Sequence, residues 1–277
     1  MMFVIYKLDK RANFMNTIPA VLITGASSGI GATYAERFAR RGHDLVLVAR
    51  DGARLETLAA QLRQDNGITV DVLPADLTQP DELAAVETRL RDDNRIGILV
   101  NNAGMNISGS FIEQATDDIE RIITLNTTAL ARLASAVAPR LAAAGEGAII
   151  NIGSVVGLAP EFGLTVYGAT KAFVLFLSQG LSLELAPQGV YVQVVLPAAT
   201  RTEIWQRSGT DINTVSALME VGELVDAALV GFDRREPVTI PPLHDVAQWE
   251  DYQVTRQAML PGFAQEHAAE RYRIIPE

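Results

Sequence analysis

The 277 residues are 48% hydrophobic and 20% charged, enough apolar material for a sizeable core and the wrong balance for an intrinsically disordered chain. Asp and Glu number 33 against 23 Lys and Arg, and the resulting net charge of -10 repels phosphate backbones, so no nucleic-acid partner is expected. With no Cys and only 3 His, disulfides, thiolate zinc sites and paired-histidine metal sites are set aside, no metal is predicted, and a reducing, cytoplasmic setting is.

The chain opens on MMFVIYKLDKRANFMNT, where Lys7, Asp9, Lys10 and Arg11 follow a brief apolar run. An export signal has the opposite order, so none is read. Residues 1–17 are taken as an N-terminal extension, either a tail or the product of a start-site choice upstream of Met15. No apolar run reaches the roughly 18–20 residues of a membrane span, and no membrane partner is expected.

From residue 18 onward, short runs rich in Val, Ile and Leu alternate with helical windows. Strands are expected at 20–24, 44–49, 69–73, 97–101, 148–152 and 190–196, with helices near 30–41, 51–65, 80–93, 117–144 and 166–185. Runs apolar on both faces belong in a buried parallel sheet. Their alternation with helices predicts an α/β fold, a doubly wound parallel sheet in a single domain over 18–243. Residues 201–219 look irregular, ahead of a helix near 220–232 and a last strand at 238–240. Residues 244–277 form a C-terminal helical extension carrying Trp249, Tyr252, Phe263 and Tyr272 at loose helical spacing. Either it packs on the same domain, or its aromatics serve a lid or a subunit contact.

The first chemical motif, Thr24-Gly25-Ala26-Ser27-Ser28-Gly29-Ile30-Gly31, directly follows the first strand. Its glycines let the backbone turn tightly and approach a pyrophosphate, whose charge the next helix N-terminus stabilises. At the end of the second strand come Ala49, Arg50 and Asp51. An NAD site commonly has a carboxylate here for the ribose, whereas a guanidinium suits a 2′-phosphate by forked charged hydrogen bonds. Arg50 therefore points to NADP as the preferred cofactor with NAD admitted. Two alternatives stay open: Arg50 as a solvated surface residue, and Asp51 as the ribose ligand. Asp76 and Leu77 after the third strand offer a carboxylate to the adenine amino group, or else a turn or helix-capping aspartate. Asn101-Asn102-Ala103-Gly104 closes the fourth strand as a tight turn whose amides brace its neighbours beside the cofactor.

Tyr167 and Lys171 stand four residues apart at the start of a helical window, which puts phenol and ammonium on one face. A tyrosine titrating near 10 is a poor acid/base at neutral pH, and a nearby cation is expected to lower it. Packing alone explains many such pairs, but Ser154 lies 13 residues upstream at a strand end, where its hydroxyl can share a substrate carbonyl oxygen with Tyr167.

On TGASSGIG, NNAG, Ser154 and Tyr167-x-x-x-Lys171, in that order, the chain resembles the short-chain dehydrogenase/reductase family over about residues 21–240. The resemblance implies a Rossmann-type sheet, a nicotinamide cofactor and a Ser-Tyr-Lys site assisted by an Asn on the long middle helix, matched here by Asn126. It further implies that Lys171 binds the nicotinamide ribose, that Asn126 holds a water linking Lys171 to solvent, and that Thr202 contacts the carboxamide. Where the family usually has Pro-Gly this chain has Pro197-Ala198, a departure that predicts a slightly reshaped nicotinamide cradle. The helices at 117–144 and 166–185 are implied to build a homodimer or homotetramer.

The expectation is an NADP-preferring oxidoreductase that interconverts a carbonyl and an alcohol, with Tyr167 as general acid/base. Met105, Val156, Phe162 and Trp205 are expected at the substrate pocket and favour an uncharged, small to medium-sized substrate. The rival from another class is a non-catalytic NADP-binding sensor or scaffold on the same fold.

Overall fold

The computed structural model describes residues 18–207 and 211–273. Its first strand, β1 (Ala20–Thr24), is buried along its full length. Val21 and Ile23 belong to one apolar layer and Ala20 and Leu22 to the other, as the two-residue period of a strand covered on both faces requires. β2 (Leu45–Ala49), β3 (Val70–Pro74), β4 (Ile96–Asn101), β5 (Ala148–Ile152), β6 (Tyr191–Val195) and β7 (Val238–Thr239) complete a 7-stranded sheet ordered β3-β2-β1-β4-β5-β6-β7. Every pairing is parallel.

Helices cover both faces. α1 (Gly29–Arg40), α2 (Gly52–Asn66) and α8 (Val221–Asp233) supply Tyr34, Phe38, Leu55, Val225 and Leu229 to one layer. α3 (Pro80–Asp92) and α5 (Leu130–Ala144) supply Leu83, Val86, Leu133 and Val137 to the other. Each of these Val, Leu and Phe side chains, fully buried, contributes about 1.5–3 kcal/mol. The strand order reverses between β1 and β4, so a crevice opens beyond their carboxyl ends, the usual ligand position in sheets of this kind.

The helix expected without a break over 117–144 is interrupted. α4 (Thr116–Ile123) passes through a π-helical turn, Thr124–Ala129, into α5. Such turns recur at functional sites, and Asn126 lies inside this one. α6 (Thr165–Leu185) carries Tyr167 and Lys171 in its first two turns. The irregular region after β6 contains a short helix, α7 (Ile204–Arg207), and an isolated parallel bridge between Thr200 and Met219.

The chain forms two compact units, one running to Pro241 and one from Pro242. In the second, Asp245 caps α9 (Val246–Ala258) by accepting from the Ala247 N–H, and Trp249 stacks on Tyr252 with ring centroids 5.4 Å apart. Among the described residues no helix is long and apolar enough to cross a membrane.

Candidate active site

The turn after β1 is built on contacts only glycine allows. A Cβ on Gly31 would stand 2.4 Å from the Gly25 carbonyl oxygen, and one on Gly25, whose φ is +66°, would meet the Asn102 amide at 2.7 Å. Gly29 also has a positive φ, +55°. α1 starts immediately beyond with no acidic residue in its first turn, so its positive end faces the crevice unopposed by a carboxylate of its own.

Thr24 organises this turn, a role the sequence did not reveal. Its buried Oγ1 accepts from the Asn102 and Ala103 N–H groups, each at 3.0 Å, and donates to the Val100 carbonyl at 3.3 Å. Asn102 returns the tie through Nδ2, which donates to the carbonyls of Thr24 at 2.9 Å and Gly25 at 3.2 Å. The NNAG turn therefore braces the glycine turn, as expected.

A single open cavity of about 1510 Å³ runs along the carboxyl ends of the strands. Gly25, Ser27, Ser28, Gly29 and Ile30 line it, as do Arg50, Asp76, Leu77, Asn102, Ala103 and Gly104, and at its other end Ser154, Tyr167, Lys171, Pro197 and Thr202. Two residues expected to bind the cofactor or act in catalysis do not line it. Gly31 is set back, and its lack of a side chain serves close packing against Gly25. Asn126, 1% exposed, accepts from the Met105 N–H at 2.9 Å and donates to the Met105 carbonyl at 2.9 Å and to Thr170 Oγ1 at 3.1 Å.

At the β2 end, Arg50 is exposed on the cavity rim. Asp51, the alternative ribose ligand, is the N-cap of α2 and its Oδ1 accepts from the Arg54 N–H at 3.0 Å. Asp76 uses Oδ1 in a turn, accepting from Thr78 N at 3.0 Å and Thr78 Oγ1 at 2.7 Å. Burial alone would lift this carboxyl, but the Thr78 hydrogen bonds and the nearby Arg50 and Arg121 hold it below the usual range.

At the other end, Ser154 stands in extended conformation just past β5; its hydroxyl donates to the Pro197 carbonyl at 3.1 Å and accepts from the Val156 N–H at 3.3 Å. Gly157 lets this segment press on α6, since a Cβ there would lie 2.7 Å from the Ala172 nitrogen. Lys171, 6% exposed, donates from Nζ to the Ile152 carbonyl at 2.8 Å and lies 5.6 Å from the Tyr167 ring centroid. Desolvation pushes the Tyr167 phenol up to about 12, against a hydrogen bond with Ser154 that lowers it. The same loss of water brings the Lys171 ammonium down to about 8. The expected lowering of the Tyr167 pKa by Lys171 is therefore not what the protein alone displays: burial disfavours both charged forms and dominates.

Ala198 lines the cavity beside Pro197 with an ordinary backbone, because the non-glycine residues with positive φ among those described are Ala217 and Arg235. A glycine is not required there on conformational grounds. Met105, Val156, Phe162 and Trp205 all line the cavity. Among the described residues no group of three or more His, Asp or Glu is placed to hold a metal ion.

A parallel sheet in this order, with a glycine turn at its switch point and a serine, a tyrosine and a lysine converging at one end of the crevice, defines a dinucleotide-binding protein of Rossmann type. Residues 19–213 match the family model for short chain dehydrogenases, and the chain belongs to that family. A short-chain dehydrogenase from Sphingobium yanoikuyae, solved in complex with NADPH, is 70% identical with a TM-score of 0.91, covering 92% of this chain and 100% of that one. The bulky-bulky ketone specific alcohol dehydrogenase from Comamonas testosteroni is 62% identical with a TM-score of 0.86, covering 92% of this chain and 98% of that one. The very-long-chain 3-oxoacyl-CoA reductase-A of Danio rerio is 36% identical over 187 residues, or 66% of this chain, which spans 58% of that protein's length.

Proposed function

We propose that this protein is an NADP-preferring oxidoreductase that interconverts a bulky, largely apolar ketone and its secondary alcohol. Oxidoreduction at an alcohol or carbonyl carbon with a nicotinamide cofactor is the activity of its family. NADP and a ketone with two bulky substituents are the finer reading. They are supported by Arg50 at the rim, by the apolar lining of Met105, Val156, Phe162 and Trp205, and by likeness to the NADPH-bound and ketone-specific enzymes above.

The residues present fit the cofactor. The close-packed Gly25, Gly29 and Gly31 would let a pyrophosphate approach the α1 N-terminus, Arg50 on the rim would hold a 2′-phosphate, and Thr202 and Lys171, which line the same cavity, would hold the nicotinamide end. When bound, the nicotinamide supplies or accepts the hydride.

The protein's own side chains handle the proton. With its phenol at about 12, Tyr167 is protonated at neutral pH and is the acid that reduction of a carbonyl needs. Ser154 turns its O–H from the Pro197 carbonyl to the substrate oxygen and polarises it. In the reverse direction Tyr167 must become phenolate, and the Lys171 ammonium, fixed to β5 through Ile152, is the positive charge that favours it below about pH 8. Asn126 ties Met105 to Thr170 and so holds the π-helical turn against α6, which keeps Tyr167 in register with Ser154.

The observation that carries this reading is the convergence of Ser154, Tyr167 and Lys171 with the glycine turn and Arg50 in one cavity. The test is a panel of ketones and aldehydes graded in the size of both substituents, followed by NADPH absorbance. Turnover favouring ketones with two large apolar groups supports it, and oxidation of NADPH by none of the panel overturns it.

A further inference from the structure

Glu203 lies beyond β6 and Arg54 in the first turn of α2, just beyond β2. In the sheet these strands are separated by β1, β4 and β5. At about 4.8 Å per strand, that is a span of roughly 19 Å across the carboxyl edge. The two side chains nevertheless meet: Arg54 Nη1 donates to Glu203 Oε2 at 2.9 Å and to Oε1 at 3.1 Å, and both residues line the cavity. Between them, Thr202 lies against the glycine turn, so that a Cβ on Gly29 would come within 3.3 Å of its Cγ2. The segment is also tied elsewhere, where Arg201 Nε donates to Glu220 at 2.8 Å, and it is braced within itself by the Trp205 indole, which donates to the Thr200 carbonyl at 2.7 Å.

We infer that the Arg54–Glu203 ion pair is a clasp that holds residues 200–205 across the crevice and retains the dinucleotide beneath them. This rests on the NADP-binding reading above. Arg54 and Glu203 act as positioning residues for the segment that carries Thr202, without taking part in proton or hydride transfer. The pair is half-exposed, with side-chain accessibilities of 52% and 42%, which keeps it weak enough for the segment to open in each catalytic cycle. An exposed pair of this strength corresponds to a retention factor of about two- to fivefold.

The clasp is tested by measuring NADPH affinity by fluorescence and its release by stopped flow. Wild type is compared with Glu203→Gln, with Arg54→Met and with the charge swap Arg54→Glu/Glu203→Arg, each checked for an unchanged thermal midpoint. The expected result is release faster by about two- to fivefold in both single variants and slowed again in the swap, with the differences vanishing in high salt. Unchanged release in the single variants overturns the clasp. So does tighter binding in Glu203→Gln, which would make the carboxylate a mere repeller of phosphate, or a swap no better than the single variants. If wild type itself binds no NADPH, the cofactor reading falls, not the clasp alone.

Discussion

The Lys171 ammonium stands 5.6 Å from the centroid of the Tyr167 ring while donating to the backbone carbonyl of Ile152 at 2.8 Å. The lysine is thus pinned to β5, and its charge reaches the phenol from a fixed position. The two groups are one turn apart on α6 and share the same dry surroundings, so each offsets the other's desolvation only when both are charged, as phenolate and ammonium.

Replacing Tyr167 with Phe keeps the ring packing and removes the exchangeable proton. Turnover should fall by roughly 10²–10⁴, the usual loss with an acid–base group, while NADPH affinity stays within a few-fold of wild type. Parallel steady-state kinetics and fluorescence titration check this. Near-normal turnover would remove Tyr167 from the proton-transfer role.

Lys171 gives a pH signature in stability as well as in rate. Its ammonium titrates at about 8 in the folded protein and at 10.5 when unfolded. Between those values the unfolded chain binds more protons, so stability rises with pH. Below about pH 8 the buried charge costs the wild type on the order of 3 kcal/mol, and the cost fades as pH approaches 10.5. Relative to Lys171→Met, the wild type should therefore gain stability from pH 7.5 to 9.5 in urea unfolding. A difference that stays flat over that range would show an ordinary lysine. Tyr167 has the opposite sign in a higher window: held protonated up to about 12, it lets stability fall with rising pH only above about 10.

Much of this arrangement was legible in the chain. Strand and helix periods locate the sheet, and a glycine turn placed between a strand and a helix locates the phosphate site. Tyr167 and Lys171 are four residues apart on one helix, so their shared face follows from local geometry. Ser154 stands 13 residues upstream of Tyr167, at the end of a strand that feeds the same crevice. What escaped depends on tertiary detail. Asn126 is reached only through the family resemblance, and its bonds to Met105 and Thr170 are not, because they depend on where its helix lies against α6 and the β4 turn. Arg54 and Glu203 are 149 residues apart, with no pattern linking them. The direction of the Tyr167 shift escaped for a related reason: a neighbouring charge is visible in sequence, whereas the amount of water excluded around it is not.

Gly31 and Gly67 make a controlled comparison. A Cβ at Gly31 would sit 2.4 Å from the Gly25 carbonyl oxygen, so Gly31→Ala must shift backbone in the phosphate turn. It should lose roughly 1–3 kcal/mol of stability, as overpacking does, and lose NADPH affinity with it. Gly67 ends α2 in left-handed conformation with nothing within 4 Å of its Cβ position. Gly67→Ala should cost about 1–2 kcal/mol of backbone strain and leave NADPH affinity untouched. Denaturant melts and cofactor titrations of both variants separate the two effects; equal NADPH affinities in the pair would contradict the close-packed glycine turn.

Arg50 is expected to set cofactor choice. It follows Ala49 at the end of β2 and lies exposed on the rim of the cavity, while Asp51 is engaged as the cap of α2. A 2′-phosphate beside this guanidinium gains forked, charge-assisted hydrogen bonds that a 2′-hydroxyl does not. With NAD bound, Arg50 stays solvated at little cost, so the preference comes from added attraction and NAD is admitted weakly. A hydrogen bond to a charged group contributes about 1.5–3 kcal/mol, which corresponds to roughly tenfold to a hundredfold in affinity. Arg50→Ala should lose that factor for NADPH and leave NADH unchanged. Adding Ala49→Asp should reverse the order, because the new carboxylate repels the phosphate and accepts from the ribose hydroxyl. Dissociation constants for NADPH and NADH with wild type, Arg50→Ala and the double variant decide the matter. Equal wild-type affinities, or a preference for NADH, would move the ribose contact away from Arg50 and onto Asp51.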